Sequence, residues 1–127
     1  MNIKHKHLIV RAEVIDTPSK QDLHQVLEWM KSLISKIGMK LMQGPSVSYV
    51  DQEGNRGTTC MALIETSHIV LHIWDEDNPG LFQLDIYSCK DIDIDLVLDF
   101  FKKSFKVTKL EYKFLDRENN LTLVDEK

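Results

Sequence analysis

Ile64-Glu65-Thr66-Ser67-His68-Ile69-Val70-Leu71-His72-Ile73-Trp74 is an apolar, β-prone run that carries a serine, two histidines and a carboxylate. Apolar runs bounded by turn residues become buried strands. A buried strand has no structural use for so many proton-transferring groups. Either they are hydrogen-bonded and silent, or the strand carries chemistry. A second run, Leu84-Asp85-Ile86-Tyr87-Ser88-Cys89, follows the polar turn Asp75-Glu76-Asp77-Asn78-Pro79-Gly80 and ends in a cysteine. Ser67–Trp74 and Leu81–Cys89 therefore read as hairpin partners.

Working outward, residues 5–15 alternate, with Leu8, Val10, Ala12 and Val14 on one side and Ile9, Arg11 and Glu13 on the other. That is a half-buried strand. Thr17-Pro18-Ser19 opens a helix. Leu23, Val26, Leu27, Met30, Leu33, Ile34 and Ile37 then form one apolar stripe, and Gly38 stops it. Gly44-Pro45 reads as a turn. Val47–Val50 and Thr58–Ile64 read as strands flanking the loop 51–57. Asp93 caps a second helix over 94–105, with Asp95 early and Lys102 and Lys103 late, matching the helix dipole. Val107–Leu115 alternates again, and the charged tail from Asp116 reads as frayed. The order β-α-β-β-β-β-α-β predicts an α+β two-layer sandwich: an antiparallel sheet with two helices on one face. Its other face must be polar or partnered, and Arg11 and Glu13 lie on that side.

Length, 127 residues, suits a single domain over 1–127 with a proper core. A net charge of −4 and a pI of about 5.7 offer no basic face for nucleic acid. No apolar stretch approaches the roughly 20 residues that span a bilayer, and no signal-peptide core opens the chain. The expected compartment is the cytoplasm, where Cys60 and Cys89 stay reduced; they are too few and too far apart for a zinc motif. On a strand, His68 and His72 stand about 13 Å apart, too far to share a metal ion.

The Ser-His-x-x-x-His-x-Trp core at Ser67–Trp74 and the later Asp85-Ile86-Tyr87-Ser88-Cys89 resemble the prokaryotic S-adenosylmethionine decarboxylase family. His7-Leu8-Ile9-Val10 and the helix ending at Gly38 fit as well. Asn55-Arg56-Gly57 and Glu111-Tyr112-Lys113-Phe114 resemble a diverged branch carried by marine phages and cyanobacteria. The resemblance implies a proenzyme that cuts itself before a serine, here Ser67, into 1–66 and 67–127. The serine hydroxyl attacks the Thr66 carbonyl to give an ester. A base, matched by His72, removes the α-proton, and Ser67 ends as a pyruvoyl group; histidine as a residue type suits such transfers. Thr59 matches the family's hydroxyl that steadies the oxyanion. The pyruvoyl cofactor holds the substrate amine as a Schiff base and accepts the electrons released with carbon dioxide, and Cys89 matches the cysteine that reprotonates the product. The implied role is decarboxylation of a small molecule, S-adenosylmethionine, for polyamine (spermidine) biosynthesis, by a homodimer without nucleic-acid or membrane partners.

Five residues apart on a strand, Ser67 and His72 point to opposite faces. They converge only if a turn or bulge at Glu65-Thr66 kinks the chain. The family has Glu directly before the serine, where this chain has Thr66 with Glu65 one place earlier. The loop after Trp74 is longer and acidic, and Arg11 and Glu13 replace small polar residues. These departures keep two alternatives open: an arginine or ornithine decarboxylase on the same scaffold, whose cationic substrate would suit the acidic loop, or a non-catalytic homologue that is never processed. Read without the resemblance, Ser67 is a strand-edge hydroxyl, His68 and His72 are hydrogen-bonded core histidines, Cys89 and Trp74 are core, and Asp75-Glu76-Asp77 is a solvated turn.

Overall fold

The computed structural model describes residues 4–127. In chain order the elements are β1 (Lys6–Ile15), a 3-10 turn (Lys20–Asp22), α1 (Leu23–Lys36), β2 (Leu41–Val50), β3 (Gly57–Ile64), β4 (Ser67–Trp74), β5 (Gly80–Ser88), α2 (Ile94–Ser104), β6 (Lys106–Asp116) and β7 (Thr122–Glu126). Seven strands form one antiparallel sheet in the order β2-β3-β4-β5-β1-β6-β7. The fold is an α+β sandwich.

Alternation along the strands decides which face the helices cover. Leu8, Val10, Ala12 and Val14 of β1 are buried with Ile69, Leu71 and Ile73 of β4 and Phe82, Leu84 and Ile86 of β5. They share one core with Val26, Met30 and Leu33 of α1 and Val97 and Phe101 of α2. An aromatic group centres it: Phe101 lies edge-on to Phe82 at 5.8 Å and to Trp29 at 6.0 Å between ring centroids. Such pairs add about 0.5–1.5 kcal/mol each beyond their buried area. The Asp93 carboxylate accepts the Leu96 N–H and caps α2, and Gly38 takes φ +71 just past the end of α1.

The opposite face of the sheet carries no helix. Its exposed residues include Ile9 (41%), Met61 (47%) and Leu63 (37%).

Three expectations need correction. Gly44-Pro45 is not a turn between elements; it lies inside β2, where the register against β3 shifts between Gln43 and Ser46. β2 is an edge strand, which can hold a proline because one side of its backbone needs no partner. The first helix does not start at Ser19: a 3-10 turn leads in, with the Asp22 carboxylate accepting the Ser19 N–H at 2.9 Å. The tail after Asp116 is not frayed but returns as β7. Asn120 and Leu121 take left-handed φ of +62 and +53 to make the turn, and Lys113–Glu126 (2.7 Å) and Tyr112–Asp125 (3.0 Å) tie the strands. Opposed charges across the pair stabilise a strand whose own residues are mostly polar.

Candidate active site

Ile64 and Ser67 are cross-strand partners, so β3 and β4 are joined by the two-residue loop Glu65-Thr66. Tight loops of this length ordinarily put positive φ on the loop residues, which is why Gly, Asn and Asp dominate there. Neither Glu65 nor Thr66 takes positive φ. Ser67 takes it instead, at +148, a conformation L-residues rarely adopt. Strain of this kind costs about 1–3 kcal/mol, and here it falls directly on the Thr66–Ser67 peptide. Glu65 itself is exposed, and its N–H donates to the Lys40 carbonyl at 2.9 Å.

The end of β5 closes on the same peptide. Ser67 and Ser88 are register partners, which sets Cys89 beside Thr66. The Cys89 N–H donates to the Thr66 carbonyl oxygen at 3.1 Å. The Ser88 hydroxyl, with no exposed surface, donates to Thr66 Oγ1 at 2.7 Å and accepts the Lys90 N–H at 2.9 Å. Thr66, Ser67 and Cys89 are thus gathered at one end of the β4–β5 pair.

His72 and Thr59 form a second group. They are cross-strand partners on β4 and β3, with His72 Nδ1 and Thr59 Oγ1 3.0 Å apart. Trp74 packs beside His72 at 5.7 Å between centroids and donates from Nε1 to the Asn55 side-chain oxygen at 3.1 Å. A cavity of about 200 Å³ opens here, lined by His72, Thr59, Trp74, Asn55 and Val50. The expected convergence of Ser67 and His72 in one chain is not found. The kink is present at Ser67, but His72 lies about 16 Å further along β4 at the usual rise of a strand. A turn before the strand changes the direction of Ser67, not that separation.

A third group surrounds Tyr87 and was given no role from sequence. Tyr87 stands opposite His7 on β1 and His68 on β4, so these three make one row on the open face. Ring centroids of His7 and His68 lie 5.6 and 5.5 Å from Tyr87, and the Arg117 guanidinium stacks 4.0 Å above the tyrosine. His7 Nε2 is hydrogen-bonded to Asp85 Oδ1, with His68 Nε2 4.0 Å from the same oxygen. Arg117 stands 3.5 Å from His7 Nδ1. An Arg donor there leaves the Nε2–H of His7 for Asp85. Alternation put all these side chains on one face; only the order β4-β5-β1 puts them in one row. Among the described residues, no three His, Cys, Asp or Glu side chains group as metal ligands.

The acidic turn is more than a solvated one. The Tyr49 hydroxyl donates to Asp75 at 2.9 Å, and Glu76 accepts the Gly54 and Arg56 N–H groups at 3.1 and 2.9 Å. Burial, and then the Asp75 bond, push the Tyr49 phenol up to about 12. Because the folded state raises this pKa from 10.0, the Tyr49–Asp75 tie is complete below pH 10 and fades as pH rises towards 12. The two amides hold the Glu76 carboxyl below its ordinary value. Glu76 therefore anchors the 51–56 loop, and Asp75 ties the turn to Tyr49 at the end of β2. Arg11, on the open face, is engaged by Glu13 at 3.0 Å and Glu111 at 3.4 Å.

The two thiols differ sharply. Cys60 is buried in the core, which pushes its thiol up to about 11, whereas Cys89 is exposed. At pH 8 only about one Cys60 in a thousand would be thiolate. Iodoacetamide at pH 8 should therefore add one label to the folded protein, at Cys89, and Cys89→Ser should remove it. Equal labelling of both thiols, read by peptide mass, would contradict this placement.

The model of one protein family, S-adenosylmethionine decarboxylase, matches residues 6–118 of the chain. Among curated proteins, the chain is 29% identical over 99 residues to an S-adenosylmethionine decarboxylase proenzyme of Archaeoglobus fulgidus; the match covers 77% of this chain and 87% of that protein. It is 35% identical over 66 residues to an S-adenosylmethionine decarboxylase proenzyme of Picrophilus torridus, covering 51% of this chain and 49% of the relative.

Proposed function

The chain belongs to the S-adenosylmethionine decarboxylase family, and we propose that it is a pyruvoyl-dependent decarboxylase of S-adenosylmethionine that matures by cutting its own Thr66–Ser67 bond. The observation that carries this reading is the loop itself. A serine with φ +148 follows a carbonyl already hydrogen-bonded to the Cys89 amide. Attack by Ser67 Oγ on that carbonyl relieves the strain and places the developing negative charge on an oxygen with a donor in place. The products would be chains 1–66 and 67–127.

The residues fit the pyruvoyl group they would generate. Its precursor Ser67 is partly exposed at the end of a strand, and the exposed Cys89 lies next to it through Thr66. When formed, the group supplies an electron sink for carbon dioxide release. Cys89 would deliver the proton to the product carbon. His72 would act as base through Nε2, which requires its Nδ1–H to donate to Thr59 Oγ1.

Ser67 and His72 must then come from different copies. Across the open face, Met61, Val70, Asp85 and Ile9 form a row between the His72–Thr59 level and the His68–Tyr87 level, with the Asp85 carboxylate held by His7. A two-fold axis crossing this row would lay one copy's Thr59–His72 pair over the other's Thr66–Ser67 loop. We therefore infer a homodimer formed through the open sheet face, with each site built from both copies. Among the described residues, no helix is long and apolar enough to cross a membrane; the cytoplasm is the proposed compartment, with polyamine (spermidine) biosynthesis as the setting.

An arginine or ornithine substrate draws little support from the acidic turn, since Asp75 and Glu76 are already engaged by Tyr49 and the 51–56 loop. The test is release of labelled carbon dioxide from carboxyl-labelled S-adenosylmethionine, arginine and ornithine. Release from S-adenosylmethionine is expected. Release from either basic amino acid alone would replace the substrate, and none at all from fully cut protein would defeat the decarboxylase reading.

A further inference from the structure

Residues 88–90 grip Thr66 from two sides. Cys89 holds its carbonyl through a backbone N–H, and Ser88 holds its side chain through a buried hydroxyl. Ser88 is itself fixed by the Lys90 N–H, and the Lys90 ammonium reaches the Gly38 carbonyl at the end of α1. The grip links the strained loop to the helical layer.

We propose that Ser88 is a positioning residue for self-cleavage: its hydroxyl locks Thr66 so that the Thr66 carbonyl stays on the Cys89 amide while Ser67 attacks. This inference rests on the cleavage proposed above and adds a residue to it. In the step concerned, a bond forms from Ser67 Oγ to the Thr66 carbonyl carbon, and the bond from that carbon to the Ser67 nitrogen breaks. The hydroxyl proton ends on the freed amine, so atoms balance without water or a co-reactant. Negative charge gathers on the carbonyl oxygen in between, and a donor aimed there in advance helps most. Thr66 sits in a two-residue loop with few other anchors, so its rotation about the Glu65–Thr66 linkage would carry the carbonyl off the amide. A side-chain hydrogen bond from the buried Ser88 hydroxyl is what prevents that rotation. The pairing also gives the Thr66 side chain a defined function.

A buried serine can also be silent structure, so the test must separate the two roles. Cleavage rates after synthesis, read by intact mass, should be compared for the natural chain, Ser88→Ala, Ser88→Thr and Thr66→Val, alongside thermal unfolding of each in its uncut Ser67→Ala background. Loss of the grip should slow cleavage by at least about tenfold in both Ser88→Ala and Thr66→Val, approaching the hundredfold scale of a small misplacement. Ser88→Thr, which keeps the hydroxyl, should recover the rate. Combining Ser88→Ala with Thr66→Val should cost no more than either alone, because both break the same bond. Ser88→Ala cutting at the natural rate would overturn the proposal, as would a well-folded Ser88→Thr that stays slow. If Ser88→Ala does not fold, Thr66→Val decides, and its cutting at the natural rate would overturn the proposal too. A natural chain that never cuts would defeat the underlying reading instead.

Discussion

Ser67→Ala should leave the chain whole. Removing Oγ removes the proposed nucleophile for the Thr66 carbonyl, so cleavage should fall to nothing rather than slow. The fold should survive, because alanine inherits the same strained backbone and the two strands meet through main-chain bonds. Purified Ser67→Ala should show one mass for the intact chain, unfold within about 1 kcal/mol of the uncut natural chain, and release no carbon dioxide from S-adenosylmethionine. A Ser67→Ala protein cut at 66–67 would mean that another nucleophile does the work. Strain alone does not explain cutting: its release contributes about 1–3 kcal/mol, some ten- to hundredfold in rate. A base and an oxyanion donor must supply the rest.

His72→Ala should show how much the base supplies, and from which copy. General-base catalysis contributes about 10²–10⁴-fold, so His72→Ala alone should remain almost entirely uncut over the time in which the natural chain is cut to completion. Ser67→Ala alone remains uncut for the reason above. Made together, the two should complement. In a mixed dimer, the His72→Ala chain keeps its Ser67, and its Ser67→Ala partner offers an intact Thr59–His72 pair. With equal and random pairing, about half of the His72→Ala chains sit in such dimers, and those should be cut. Both chains remaining whole after co-expression would contradict the shared site. The basis is the length of β4: a five-residue separation along a regular strand cannot be closed by one twisted residue at its end.

Much of this was legible in the sequence, and the boundary is physical. Local patterns were reliable: alternation in β1, the apolar stripe of α1, the Asp93 cap of α2, and β4 from Ser67 to Trp74. The motif residues around Ser67 and Cys89 could be named from the same stretch. What failed depended on partners distant in sequence. β7 looked frayed because its own residues are polar; Lys113 and Tyr112, on β6, make it a strand. Gly44-Pro45 looked like a turn because edge position cannot be read from composition. The Tyr87 row needed the order β4-β5-β1, and the Ser88–Thr66 bond needed the register Ser67↔Ser88. Ser67 and His72 are separated along β4 by the rise of five residues as well as by the face they take.

Intact mass of the purified natural protein decides whether the Thr66–Ser67 bond is cut. Two species are expected, residues 1–66 ending in a free carboxylate at Thr66 and residues 67–127 beginning with a pyruvoyl group in place of Ser67. A single species of the full 127 residues, unchanged after prolonged incubation, would contradict self-cleavage.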